Sequence, residues 1–130
     1  MARWNILAGS SYGAAVRLSR GRYERSAVSR AYYAAYSRTV QTLVACNCGV
    51  VFPVGREGPS HTKLHELVVR HLRVLGQHRW LLANHLRELY KMRVAADYCP
   101  SDSVELVEAQ KAVRLMNMVF VLTKGAVDES

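Results

Sequence analysis

The sequence predicts an all-α protein, an antiparallel bundle of four to five helices. Apolar residues recur at helical spacing through most of the 130 residues, and strand-like alternation never lasts more than a few positions. Glycine and proline concentrate in one stretch, residues 47–59, which separates two groups of helical segments. A chain of this length can bury a core without metals or disulfides. We therefore expect one helical domain over 1–130, with 1–9 and 124–130 as terminal segments.

Two helices are predicted before this stretch. The first covers roughly residues 4–19 and is broken by Gly21. The second covers roughly 22–46 and reads RYERSAVSRAYYAAYSRTVQTLVAC. Its apolar side chains follow helical spacing: Val28, Ala31, Ala35, Val40, Leu43 and Val44. Residues 47–59 then form the predicted loop.

Two further helices are predicted between the loop and Pro100. Ser60, which follows Pro59, is the predicted N-cap of the third helix, and Gly76 ends that helix. One stripe of the third helix holds Leu64, Leu67, Val68, His71 and Leu75. The fourth helix covers roughly 79–97 and Pro100 stops it. Its predicted inward residues are Leu82, Leu86 and Leu89.

The fifth helix begins at the segment SDSVE, where Asp102 and Glu105 have the spacing of a capping box. It is expected to reach about Thr123, with a frayed tail over 124–130. Two apolar faces make it the most buried helix in this prediction: Leu106, Ala109, Val113, Met116 and Phe120 on one, and Ala112, Leu115, Val119 and Leu122 on the other.

Composition limits the possible classes of function. The net charge is +8 and the isoelectric point is about 9.8, which favours an acidic partner, nucleic acid first and an acidic protein second. Arginine outnumbers lysine by 14 to 4, a skew that a GC-rich genome also produces. Three cysteines without a paired spacing predict neither a disulfide framework nor a zinc site. No apolar run has the roughly 18 residues of a membrane span, and we expect a cytoplasmic protein.

A polar set closes the fourth helix, in the segment KMRVAADYCP. The inward stripe of that helix continues to Arg93 and Asp97, so both charges should lie on a packed face, paired or lining a groove. One interpretation is a buried ion pair that fixes the helix end, with Arg30 as a second cation near Asp97. The other is an arginine available to phosphate, oriented by Asp97 and Tyr98.

A second polar set lies in the second helix, in the segment SRAYYAAYSR. Tyr32, Tyr33 and Tyr36 share a face with alanines, which favours core packing, although their hydroxyls could also satisfy a buried polar site. His61 and His65 are four residues apart without an evident third ligand, so no metal site is predicted.

Together, the segments AVSRAYYAAYSR, SHTKLHEL and RVAADY resemble HEPN domains (higher eukaryotes and prokaryotes nucleotide-binding), over roughly residues 10–123. The resemblance is to the small prokaryotic branch with a RAYYA helix and an R-x-x-A-D-Y motif. It implies a homodimeric helical bundle in a toxin–antitoxin or anti-phage defence system, often beside a nucleotidyltransferase. It also implies a metal-independent ribonuclease, whose arginine stabilises the phosphorane and whose histidine moves protons.

The chain departs from the ribonuclease motif. Arg93 matches the arginine, but Ala96, Asp97 or Tyr98 stands where the histidine belongs. We therefore expect a non-catalytic protein without a cofactor. Its predicted binding residues for RNA, a nucleotide or a protein partner are Arg93, Asp97, Tyr98, Arg30 and Tyr33.

Two alternatives stay open. One is a metal-independent RNase with a variant site, in which Arg93, Asp97, Tyr98 and His61 are the catalytic candidates. His61 opens the third helix and could be brought toward Arg93 by folding. The other alternative is a scaffold subunit of a larger assembly.

Overall fold

A computed structural model describes residues 4–21, 23–46, 59–99, 101 and 104–128, apart from the side chains of the last two residues. These residues form five α-helices and one short 3₁₀ helix, which confirms the all-α prediction. The α-helices are α1 (Trp4–Arg20), α2 (Glu24–Ala45), α3 (Leu64–His71), α4 (His78–Tyr98) and α5 (Leu106–Asp128), and the 3₁₀ helix is Arg73–Leu75. In this part of the chain, none of the helices is both long and apolar enough to cross a bilayer. Residues 47–58 of the predicted loop at 47–59 lie outside the described residues.

Helix α2 is the centre of the bundle and packs against each of the other four α-helices. Its small residues make this possible, because a helix surface of alanines lets neighbouring backbones approach closely. Four alanines of α2 are completely buried: Ala27, Ala31, Ala34 and Ala35. The larger side chains Val28, Tyr32, Val40 and Leu43 fill the spaces between the helices and are at most 1% exposed. The alanines therefore set the helix distance and the larger side chains fill the core.

Helices α2 and α4 run antiparallel. Ser29 near the start of α2 contacts Asp97 near the end of α4, whereas Tyr32, further along α2, packs against Tyr90, further back in α4. The three predicted inward leucines of α4, which are Leu82, Leu86 and Leu89, are at most 2% exposed. This arrangement brings the polar end of α4 beside the first turns of α2.

The third predicted helix is shorter than expected. Helix α3 ends at His71, and a 3₁₀ turn follows before Gly76, whose positive φ of 57° reverses the chain. The prediction of Ser60 as its N-cap is wrong. Lys63 occupies that position without a side-chain cap, and the Ser60 hydroxyl contacts Thr62 instead.

Helix α5 differs from the prediction at both ends. At its start, the Glu105 backbone N–H donates to the Glu108 carboxylate at 3.1 Å, which is one half of a capping box. The predicted box instead paired Glu105 with Asp102, which lies outside the described residues, so the observed contact lies three residues later than the predicted one. The prediction of Leu106 as inward is wrong, since this residue is 46% exposed. The helix also continues to Asp128, five residues beyond the expected end near Thr123.

Candidate functional site

Arg93 lies on the inward stripe of α4, where its side chain is 11% exposed. Its Nε donates to Asp97 Oδ2 at 3.1 Å, one helical turn further on. Its Nη2 donates to the hydroxyl of Tyr33 on α2 at 2.8 Å and to the hydroxyl of Tyr98 at 3.3 Å. A buried guanidinium needs such partners, because an unpaired charge in the interior is very costly. Arg93 therefore links the end of α4 to the middle of α2.

The surroundings of Arg93 keep it charged. Burial acts to lower its pKa, but the neighbouring Tyr33, Tyr98 and Asp97 more than offset this, so the pKa of Arg93 is raised. Its guanidinium carbon also lies over three aromatic rings, at 5.3 Å from the Tyr33 centroid and 5.2 Å from that of Tyr98, with Tyr32 at 5.8 Å. Each of these contacts favours the cation. Arg93 is thus a fixed positive charge at any physiological pH.

The predicted partners of Arg93 are exposed to different degrees. The Asp97 side chain is 28% exposed and its Oδ2 also accepts a bond from the Ser29 hydroxyl at 3.2 Å. Tyr98 is 66% exposed, so its ring covers Arg93 from the solvent side. Both are therefore reachable by a ligand, whereas most of Arg93 is not.

The C-terminus of α4 is held by a residue that the sequence analysis did not select. Arg25 Nη1 donates to the carbonyl oxygens of Ala95 at 3.2 Å, Ala96 at 2.9 Å and Cys99 at 3.3 Å. These carbonyls lie at the negative end of the helix dipole. That of Ala95 also accepts the Cys99 backbone N–H at 3.3 Å, whereas Ala96 has Pro100 four residues later, which has no N–H to donate. A cation there stabilises the segment that carries Asp97 and Tyr98.

His61 is held against α2 by the turn that precedes α3. Tyr36 donates its hydroxyl to the Pro59 carbonyl at 2.7 Å, which anchors this turn. The Tyr32 hydroxyl and His61 Nδ1 then lie 2.6 Å apart, and the His61 ring packs on Tyr36 with centroids at 4.5 Å. Folding thus brings His61 to the tyrosine face, 5.9 Å by ring centroids from the Tyr33 ring that bonds Arg93.

A groove of about 310 Å³ runs along the tyrosine face between α1, α2 and this turn. We call it the tyrosine groove, and its lining residues are Trp4, Leu7, Ser11, Arg30, Tyr33, Tyr36, Ser37 and His61. Arg30 is exposed, and no described residue forms an ion pair with it. The groove therefore combines an available cation with aromatic rings.

The six predicted site residues are connected, although they do not surround one point. Tyr33 joins them, since its hydroxyl bonds Arg93 and its ring lines the tyrosine groove with Arg30 and His61. Asp97 and Tyr98 lie on the Arg93 side of this junction. The expectation that Arg30 might pair with Asp97 is not met, since Ser29 occupies that place.

Sequence reasoning missed Trp4, Ser29 and Arg25. Trp4 packs edge-on against Tyr36 with centroids 5.9 Å apart, yet a single aromatic in a first turn gives no indication of its partner. Ser29 and Arg25 could have been found, because both precede Tyr32 by about one or two helical turns and so share its face.

Among the described residues, no group of three or more histidine, cysteine or acidic side chains could hold a metal ion. Cys99 is a free thiol, and Cys48 lies outside the described residues.

Comparisons with models of known families, with curated proteins and with solved structures return no match for this chain.

Proposed function

We propose that this protein binds RNA through the tyrosine groove and the adjoining Arg93 cluster, without cleaving it. The observation that carries the proposal is Tyr33, whose hydroxyl accepts from the buried Arg93 while its ring lines the groove that holds the exposed Arg30. A cation beside aromatic rings suits a single-stranded nucleic acid, since phosphates meet the arginine and bases meet the rings. The net charge of +8 supports the same class of partner.

The residues have different roles in this proposal. Arg30 contacts phosphate directly, because it is exposed and unpaired among the described residues. Arg93 supplies a fixed charge behind Tyr33, and its bonds to Tyr33 and Tyr98 orient both rings. Asp97 limits the local positive charge and holds the guanidinium in place.

The biological setting rests on the HEPN resemblance of the three segments that carry Tyr32, His61 and Arg93. In the helical bundle, Tyr32 contacts both His61 and Arg93, so the three segments meet at this residue. We accordingly propose a homodimeric component of a prokaryotic toxin–antitoxin or defence system, with a nucleotidyltransferase or another defence protein as its partner.

The position of His61 favours one alternative, a metal-independent ribonuclease. His61 lines the tyrosine groove, and its ring meets the Tyr33 that bonds Arg93. In that function His61 would move protons at the RNA 2′-hydroxyl, and Arg93 would stabilise the charged phosphorane. Asp97 and Tyr98 would orient the arginine.

One experiment separates the two functions. Labelled structured RNA is incubated with the purified protein in EDTA and read for both mobility shift and cleavage. We expect the wild type to shift the RNA without cleaving it. Arg30→Ala should bind the RNA more weakly, and its affinity should depend less on salt concentration than that of the wild type. Arg114→Ala is the matched control, since it removes an exposed arginine from α5, away from the groove.

The variants at Arg93 and His61 complete the design. Cleavage by the wild type that His61→Ala abolishes would establish the ribonuclease and overturn the non-catalytic proposal. Equal weakening by Arg30→Ala and Arg114→Ala would show that only overall charge matters. Absence of both shift and cleavage would remove RNA as the ligand. Arg93→Lys keeps a buried positive charge but loses the planar set of guanidinium donors. It therefore tests whether the hydrogen-bond geometry of Arg93, and not its charge alone, is needed.

A further inference from the structure

A second cavity, of about 190 Å³, lies between α2, the turn before α3, α3 and α4. It is distinct from the tyrosine groove, since Arg93 and Arg30 do not line it and the two share only the side chain of His61 among their described lining residues. Its inner wall is apolar, because it is formed by Leu64, Leu86 and the ring of Tyr32. These three residues belong to the core and are at most 2% exposed. We call it the α3–α4 cavity.

The walls of this cavity are largely aromatic. Tyr32 and Tyr90 contribute rings whose centroids lie 5.8 Å apart, and the His61 ring lies 5.5 Å from that of Tyr32. The Tyr32 hydroxyl and His61 Nδ1 engage each other, so they present little unsatisfied polarity to the cavity. A flat, apolar group is what such walls accommodate best.

The outer edge of the cavity is basic. Arg87 and Lys91 are both exposed and stand four residues apart on α4, so they share one face of the helix. The half-buried His65 adds a third nitrogen-bearing side chain, and the described lining contains no acidic residue. The acid between them in sequence, Glu88, is held by Lys111 on α5 at 2.8 Å. An anion at this edge would therefore meet two cations.

We propose that the α3–α4 cavity binds a small planar aromatic anion. Its ring lies against Tyr90, over a floor formed by the almost completely buried Tyr32 and the two leucines, and its phosphate or carboxylate is bound by Arg87 and Lys91. The volume is below the roughly 300–1,000 Å³ of sites for drug-sized ligands, so the ring system has one or two rings. This binding goes beyond the proposed RNA binding and does not depend on it.

Isothermal titration of the full chain tests the proposal with four defined probes. Adenosine 5′-monophosphate and indole-3-carboxylate carry both the ring and the anion, whereas adenosine and inorganic phosphate each carry one part. We expect at least one complete probe to bind roughly ten-fold more tightly than either part, because the charged contacts add to the stacking. If adenosine 5′-monophosphate binds more tightly, the ligand is a nucleotide. If indole-3-carboxylate binds more tightly, the ligand is an aromatic acid.

Two variants locate the binding. Replacing Arg87 and Lys91 together by Ala should weaken the complete probe by roughly ten-fold and leave adenosine unchanged. Thr62→Trp should block all ring-bearing probes, because Thr62 lines the cavity from an exposed turn where a larger side chain spares the core. Arg70→Ala, which removes one exposed arginine from α3, is the control for the loss of surface charge and should change affinity less than two-fold.

Three results would each overturn the proposal. They are no binding of either complete probe at millimolar concentration, inorganic phosphate binding as tightly as the tighter of the two complete probes, and an equal loss of affinity in Arg70→Ala and in the double variant. The RNA mobility shift is measured on the same variants. If the double variant still shifts RNA but no longer binds the probes, the α3–α4 cavity and the tyrosine groove are separate sites. If Arg30→Ala loses the RNA shift but still binds the probes, the RNA proposal and the cavity proposal are independent.

Discussion

The Nη2 atom of Arg93 on α4 lies 2.8 Å from the hydroxyl of Tyr33 on α2, sixty residues earlier in the chain. Arg93 is 9% exposed and Tyr33 is half-buried, so this bond forms largely out of water. Bonds to charged groups in such surroundings are about twice as strong as neutral ones. This single contact joins the polar end of α4 to the tyrosine face of α2.

Tyr33→Phe should therefore destabilise the fold. The ring is kept and one acceptor of a buried guanidinium is lost, which costs about 1.5 kcal/mol. Urea unfolding measures the change. Tyr98→Phe is the matched control, because the Tyr98 hydroxyl accepts from the same Nη2 atom at the longer distance of 3.3 Å. Tyr98 is also 66% exposed. Its cost should stay below about 0.5 kcal/mol. Equal costs would mean that burial of the Tyr33 bond has no energetic effect.

Arg25→Ala should destabilise the protein through the end of α4. Its Nη1 donates to the Ala96 carbonyl at 2.9 Å and to two further carbonyls of the same helix end. Removing a cation from the carbonyls at the negative end of a helix dipole should cost about 1–2 kcal/mol. Thermal or urea unfolding of Arg25→Ala and of Arg114→Ala gives the comparison.

Arg114→Ala should change the free energy of unfolding by less than about 0.5 kcal/mol, because it is an exposed residue. If both variants lose the same stability, the effect is one of net charge and Arg25 is not a cap. Amide exchange at Ala96 and Asp97 should also quicken in Arg25→Ala, since that helix end would open more often.

The helices could be predicted from apolar spacing because long amphipathic segments specify their own buried face. Leu82, Leu86 and Leu89 illustrate this, and the continuation of their stripe placed Arg93 inside the bundle before any contact was known. The same reasoning failed for Leu106, which lies at a helix start where few neighbouring helices cover it and is 46% exposed. The spacing of apolar residues indicates which face of a helix is inward. Whether the residues at the ends of the helix are buried depends on the elements that surround them.

The candidate site could be predicted in its residues but not in its connections. The spacing of Arg93 and Asp97 indicated their pair, since four residues make one helical turn. The choice of Tyr33 among three tyrosines as the partner of Arg93, and of Tyr32 as the partner of His61, depends on how helices pack across sixty and twenty-nine residues of chain. No local pattern carries that information.

Asp97→Asn tests whether the Arg93 cluster is a binding surface or an ion pair with a structural role. The amide keeps the shape and can still contact Ser29, but one negative charge is removed from the Arg93 cluster that adjoins the tyrosine groove. We expect RNA affinity to rise about two-fold, the effect of a charge several ångströms away in a medium close to water. A mobility-shift titration at low salt measures this change.

Stability should fall by less than about 1 kcal/mol in Asp97→Asn, because the carboxylate side chain is 28% exposed. Glu66→Gln is the matched control and removes one exposed negative charge from α3. Unchanged RNA affinity in Asp97→Asn, together with a clear loss of stability, would favour the purely structural ion pair. An equal rise in both variants would reflect net charge alone.

Tyr32 should make the stability of the protein depend on alkaline pH. Tyr32 is 1% exposed, and its burial, reinforced by the neighbouring Tyr36, raises the pKa of its hydroxyl far above the ordinary value near 10. The unfolded chain therefore loses this proton near pH 10 while the folded chain keeps it. Above that pH the folded state binds more protons than the unfolded state, so stability falls as the pH rises. Below it, Tyr32 contributes no pH dependence.

Urea unfolding of the wild type and of Tyr32→Phe at pH 8, 9, 10 and 11 checks this expectation. Phenylalanine cannot ionise, so the variant should lose less stability between pH 10 and 11 than the wild type does, by up to about 1.4 kcal/mol for a single proton. The lost bond to His61 lowers the stability of the variant at every pH and so does not affect this difference. Tyr23→Phe is the control, since Tyr23 is 63% exposed and should leave the alkaline slope unchanged. Parallel curves for the wild type and Tyr32→Phe would mean that the Tyr32 hydroxyl reaches solvent in the folded protein, and the tyrosine core around His61 would then be open to water.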